Sequence, residues 1–104
     1  MRIILDENIP LPLVGWLASH EVTGVHAAGW AGLGNGELLR KIDGVFDLFI
    51  TADKNLRYQQ NLASRKIAIL ELPTNRLGLL TPLRIRIETE IASIKPGEYR
   101  IVPL

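Results

Sequence analysis

Apolar residues recur along this chain in short runs that alternate with stripes at helical spacing. Arg2-Ile3-Ile4-Leu5 has the length of a buried strand and is closed at once by the polar cluster Asp6-Glu7-Asn8. Leu11, Leu13, Val14, Trp16 and Leu17 then share one helical face, which predicts a helix capped by Asn8, with Pro10 in its first turn, ending near His20. Glu21 to His26, carrying Val22 and Val25, reads as a short second strand. Residues 28 to 36 hold so much glycine that they predict a loop. A helix resumes over Glu37 to Ile42 and stops at Gly44. Asp47 to Thr51 predicts a third strand, closed by Ala52-Asp53-Lys54-Asn55.

The second half repeats the alternation. Asn55 to Ser64 is mostly polar and predicts a short exposed helix or helical turn. Lys66 to Leu72 is a fourth strand, and Pro73-Thr74-Asn75-Arg76 turns the chain. Thr81-Pro82 has the form of an N-cap and first helical residue, opening a helix to about Ile94 with Leu83, Ile87, Ile91 and Ile94 on one face. Lys95-Pro96-Gly97 stops it, and Tyr99 to Val102 is an edge strand. The order of elements predicts an α/β fold with right-handed crossovers and a sheet covered on both faces. Residues 1 to 104 show no linker or repeat and read as a single domain.

Two of these strand ends deliver an acid in the same way. Strands of a parallel sheet point in one direction, so Asp6 and Asp53 meet in the crevice outside the carboxyl ends if their strands are close. Two carboxylates there repel each other unless a cation or a proton lies between them.

Composition narrows the chemistry without deciding it. At 104 residues and 47% hydrophobic content the chain can build a core, and a net charge of +1 gives no global footprint for nucleic acid or membrane. Any polyanion must be held by a local patch. The absence of cysteine removes disulfides and thiolate metal sites and fits a cytoplasmic setting. Asp6 interrupts the first apolar run too soon for a signal peptide, and no run reaches the roughly 20 apolar residues that span a bilayer.

Three blocks carry a family resemblance: Leu-Asp-Glu-Asn-Ile-Pro at 5 to 10, Gly-Trp-Ala-Gly-Leu-Gly-Asn-Gly-Glu-Leu-Leu at 29 to 39, and Ile-Thr-Ala-Asp-Lys-Asn at 50 to 55. In their combination and order the chain resembles the short PIN-like proteins grouped under DUF5615, relatives of the PIN-domain nucleases, some of them associated with toxin-antitoxin loci. The resemblance implies a PIN-like three-layer α/β/α sandwich with a mainly parallel sheet. It also implies an acidic pocket that holds Mg²⁺ or Mn²⁺ and hydrolyses phosphodiester bonds, RNA ahead of DNA, with an antitoxin protein and a second copy of the chain as partners. Asp6 matches the acid after the first strand, Asp53 the acid of the Thr-x-Asp motif, and Glu37 the acid that opens the helix after the glycine loop. All three are candidates for both metal binding and catalysis. In many relatives an Asp stands where this chain has Asn35, so the pocket has one negative ligand fewer.

Hard divalent cations take oxygen ligands, and Mg²⁺ keeps several waters while binding one or two carboxylates. Lys54 and Arg57 flank Asp53 and suit phosphate contacts; Asn8 and Asn35 join them as substrate-side candidates, although both also suit caps or turns. Glu7 is the alternative fourth acid, but adjacent strand-end residues diverge in direction, which turns Glu7 away from Asp6 and favours Asp6 for the pocket. The amides of Gln59-Gln60-Asn61 either line the substrate path or cap a turn.

Blander roles stand beside these. Asp6 and Asp53 each suit a helix N-cap, and Glu37 suits the positive end of a helix dipole. Trp16 and Trp30 are read as core, Trp30 with base stacking as its alternative, and the two histidines receive no role. Two functions follow: a metal-dependent nuclease, or a PIN-like module without catalysis that binds nucleic acid or a protein partner.

Overall fold

The computed structural model describes residues 1–59 and 64–104, with Tyr58 and Gln59 described in backbone only. Five strands form one parallel sheet in the order β2-β1-β3-β4-β5: β1 (Arg2–Leu5), β2 (Glu21–Gly24), β3 (Leu48–Thr51), β4 (Ala68–Glu71) and β5 (Tyr99–Ile101). The helices are α1 (Pro12–Trp16), α2 (Asn35–Ile42), α3 (Leu56–Gln59), α4 (Leu77–Leu80) and α5 (Arg84–Ser93), with a 3₁₀ turn over Thr81–Leu83.

Alternation along the strands divides the core in two. Ile3, Leu5, Leu48, Ile50, Ala68 and Leu70 face α1, α4 and α5, meeting Leu13, Leu17, Leu80, Ile87 and Ile91. Ile4, Phe49 and Ile69 face the other way, onto Leu38, Leu39 and Ile42 of α2 and Leu56 of α3. Both faces are therefore buried, as a parallel sheet requires, and the fold is α/β with three layers.

One expectation about this topology does not hold throughout. The chain steps from β1 to β2 in one direction and from β4 to β5 in the other, yet α1 and α5 cover the same face. The last crossover therefore has the opposite hand to the first, while those through α2 and α3 agree with the first. Coverage gives a reason. With α5 on the α2 face, the five residues of α1 would be left to shield a five-stranded sheet. The long connection between β4 and β5 relaxes the geometry that enforces one hand in short units.

Several boundaries differ from the pattern reading. Helix α1 begins at Pro12 with Leu11 at its N-cap and has no side-chain cap, so Asn8 does not cap it. It ends at Trp16 rather than near His20, Gly15 being a poor helix former. Its expected stripe is only half buried: Leu13 and Leu17 are in the core, whereas Leu11 is 81% and Val14 41% exposed. Trp16 is half-buried, with the Arg84 guanidinium 5.5 Å above its ring. Trp30 is also half-buried and meets Phe46 edge-on at 6.2 Å. Thr81 is not an N-cap. Its hydroxyl donates back to the Leu77 carbonyl at 2.8 Å, because the helical path already begins at α4.

Helix α2 starts at Asn35, inside the stretch read as loop, with Gly34 as its N-cap. Gly44, at φ +82°, turns the chain where its end was expected.

Candidate active site at the carboxyl end of the sheet

Strand order reverses at β1, whose neighbours are β2 on one side and β3 on the other. Ligands of open parallel sheets bind outside the strand ends at such a switch point. The residues that leave these two ends are Asp6 and Thr51-Ala52-Asp53. Register makes them neighbours: Leu5 pairs with Ile50, and the Asp6 N–H donates to the Ile50 carbonyl at 2.9 Å.

Thr51 joins the two acids. It is fully buried, its hydroxyl donates to Asp6 Oδ2 at 2.7 Å, and its Oγ accepts the Asp53 N–H at 3.0 Å. Asp6 Oδ1 accepts the Glu7 N–H at 2.9 Å. Asp53 Oδ1 accepts the Asn55 N–H at 2.9 Å, and Asp53 Oδ2 accepts the Asn35 side-chain amide at 3.0 Å. Both carboxylates are thus oriented by neutral donors, one per oxygen. A carboxylate oxygen has two lone pairs, and the described residues occupy one on each.

Burial holds the Asp6 carboxyl above its ordinary range. Hydrogen bonds from Thr51 and Glu7 oppose the shift, and the negative charges of Glu7 and Asp53 add to it. Desolvation leads, and the repulsion from Asp53 that the strand-end placement predicts is the smallest of these causes.

The other candidates are placed differently. Glu37 is exposed in the first turn of α2, the position that complements a helix dipole. Asn8, Lys54 and Arg57 are exposed. The side chains of Gln59, Gln60 and Asn61 lie outside the described residues. Among the described residues no group of three or more His, Cys, Asp or Glu is arranged to hold a metal ion. Asp6 and Asp53 are two carboxylates, the kind of hard oxygen ligand that Mg²⁺ or Mn²⁺ takes.

Known protein families, curated proteins and solved structures offer no match to this chain.

Three residues of the region escaped the sequence reading in part or whole. Thr51 belongs to the quoted Thr-x-Asp block, but its bridging role follows from strand register. Glu71 ends β4 beside Thr51, is only 4% exposed, and accepts the Tyr99 hydroxyl at 2.6 Å. Desolvation and Glu71 hold the Tyr99 phenol well above its ordinary range, so it stays a donor. The signal for Glu71 was a carboxylate inside the apolar run Ala68-Ile69-Leu70-Glu71-Leu72, which charge rarely enters without a partner. Glu7, read as turned away from Asp6, accepts the Gly32 N–H through Oε1 at 2.8 Å and so ties the glycine loop to the end of β1. Gly32 sits at φ +83°, which glycine adopts without strain.

Proposed function

We propose that the chain is a metal-dependent phosphodiesterase acting on RNA, with Asp6 and Asp53 as its central pair. The observation that supports this most is the Asp6–Thr51–Asp53 bridge at the switch point, where two acids are oriented by neutral groups and burial raises the Asp6 pKa. The resemblance to PIN-like nucleases points the same way. A bound Mg²⁺ or Mn²⁺ would polarise a phosphate and ease deprotonation of a water. Asp6 and Asp53 would hold it, Thr51 fixes their spacing, and Asn35 orients Asp53. Lys54 and Arg57 are the cations at hand for substrate phosphates. Glu37 serves as a third acid if its side chain turns toward the pair.

Asn35 favours a second reading. A neutral amide donates to Asp53 where many of the resembled proteins carry an acid, which suits a module that binds nucleic acid or a protein partner such as an antitoxin without cutting.

Cleavage of mixed-sequence RNA and DNA with Mg²⁺, Mn²⁺ or EDTA separates the two. The nuclease reading expects metal-dependent RNA cleavage that falls to background in Asp6→Asn and Asp53→Asn. Folded protein that cuts neither polymer with either metal, yet retains RNA binding, removes the nuclease and leaves the module.

A further inference from the structure

Five hydrogen bonds around the acid pair close into a ring. Glu7 Oε1 accepts the Gly32 N–H at 2.8 Å, and three residues further on the Asn35 amide donates to Asp53 Oδ2 at 3.0 Å. The Asp53 N–H donates to Thr51 Oγ, the Thr51 hydroxyl donates to Asp6 Oδ2, and Asp6 Oδ1 accepts the Glu7 N–H. The ring ties three segments that are distant in sequence: the end of β1, the end of β3, and the glycine stretch that leads into α2. The link through Glu7 differs from the rest, because it reaches the acids through backbone.

The glycine stretch has few other directional contacts. The N–H groups of Ala28, Gly29, Trp30 and Leu33 all donate to carbonyls between Gly24 and Trp30, so these bonds shape the loop from within. Trp30 and Leu33 pack on the core face that α2 covers, an apolar contact without direction. Among the described residues, the Gly32–Glu7 bond is the one that carries residues 27–34 across to β1. Only Leu33 and Gly34 separate that bond from Asn35. Gly34 is the N-cap of α2, extended at φ −65° and ψ 156°, and no side chain caps the helix there. The start of α2 therefore follows wherever Gly32 is held.

We infer that Glu7 is a positioning residue. By holding the Gly32 N–H its carboxylate sets where α2 begins, and so keeps the Asn35 amide on Asp53. Residue 7 is required to supply an acceptor at this place, and its negative charge is dispensable. The consequence for metal binding and cleavage rests on the phosphodiesterase reading; the consequence for Asn35 does not.

Glu7→Gln and Glu7→Ala, made in the full chain, separate the acceptor from the charge. Both remove the negative charge that adds to the upward shift of Asp6, but Gln keeps a carbonyl for Gly32 and Ala keeps nothing. The bond is broken from this side because Gly32 sits at φ +83°, where any other residue is strained. The side-chain NH₂ signals of Asn35, identified by their loss in Asn35→Ala, are followed by NMR from neutral to acid pH. In the parent and in Glu7→Gln they should move as Asp53 takes up its proton, since a donor to a carboxylate senses its ionisation. In Glu7→Ala they should lose that response and shift to the position of a solvated amide. Mn²⁺ titration gives the second readout. Glu7→Gln should bind close to the parent and Glu7→Ala about tenfold more weakly, the lower end of what groups that orient metal ligands contribute. In an Asn35→Ala background Glu7→Ala should add nothing.

An Asn35 signal that still follows Asp53 in Glu7→Ala overturns the inference. So does a Glu7→Gln variant as weak as Glu7→Ala, which assigns Glu7 an electrostatic role. Losses that add in full in the double variant overturn the route through Asn35. If neither the parent nor any variant binds Mn²⁺ or cuts RNA, while Asn35 is released in Glu7→Ala and held in Glu7→Gln, the positioning role stands and the phosphodiesterase reading falls.

Discussion

Two acidic regions of this molecule treat their carboxylates in opposite ways. At the far edge of the sheet, Arg100 forks onto Glu98 with two contacts of 3.0 Å and reaches Glu90 at 3.1 Å, and Arg86 reaches Glu90 at 3.1 Å. Hydrogen bonds from Arg86 and Arg100 hold the Glu90 carboxyl below its ordinary range, and those from Arg100 do the same for Glu98. At the switch point, Asp6 and Asp53 meet a hydroxyl, a side-chain amide and backbone N–H groups, and burial pushes Asp6 up. Among the described residues no ion pair reaches either acid. Where charge serves only the fold, the chain supplies the counter-charge itself. Where it is left unanswered, an external cation or proton has something to offer.

Thr51→Val is the harshest way to break the contrast. It removes the donor to Asp6 and the acceptor for the Asp53 N–H together. Groups that orient metal ligands typically carry about 10- to 100-fold in affinity or activity. If the proposed metal-dependent activity holds, calorimetric titration with Mn²⁺ and the cleavage assay both show a loss of that size; unchanged affinity would mean that the two acids are positioned without Thr51.

Glu71 is the intermediate case, a buried carboxylate answered by the neutral Tyr99 hydroxyl. Tyr99→Phe strands one of its oxygens and should cost about 1–3 kcal/mol in urea unfolding. A cost near zero would show that Glu71 has another adequate donor.

The pH response separates the regions by sign. With its folded pKa raised above the unfolded 3.8, ionised Asp6 costs stability at all pH values above the folded pKa, and that cost disappears as pH falls toward 3.8. Asp6→Asn should therefore be more stable than the parent at pH 7, the gap closing with acidification. Thermal unfolding across pH checks this, and a gap that widens in acid contradicts the burial of Asp6. Glu90 and Glu98 are lowered from 4.5, so their contribution is present above that value and is lost as pH falls through the folded pKa. Arg100→Met should raise both apparent pKa values in a carboxyl NMR titration, the smallest effect of the four because the ion pairs keep part of their surface in water and are screened there.

Much of this arrangement was legible in the chain, for a reason that also sets the boundary of legibility. Asp6 and Asp53 were marked by local pattern, an apolar run followed by a polar cluster, and strand direction carries such marks to one end of a sheet. The Thr51 bridge required register between strands 45 positions apart, which neither strand encodes by itself. The stripe on α1 predicted burial for Leu11 and Val14, but the helix is too short to present one face along its length, and the exposed pair lines a groove instead. Thr81-Pro82 has the composition of a helix start, and the preceding Leu77–Leu80 turn outweighs it. The hand of the last crossover depends on which face remains to be covered, a property of the finished sheet.

The place of β1 inside the sheet, next to β3, has a consequence for synthesis. During translation the first strand emerges early, but the neighbour that completes its site is β3, and Thr51 follows Asp6 by 45 residues. Loop closure over that length delays the pairing relative to local structure. A ribosome-bound chain cut short before residue 48 holds Asp6 and cannot assemble the pair, so the site forms only once β3 has been made.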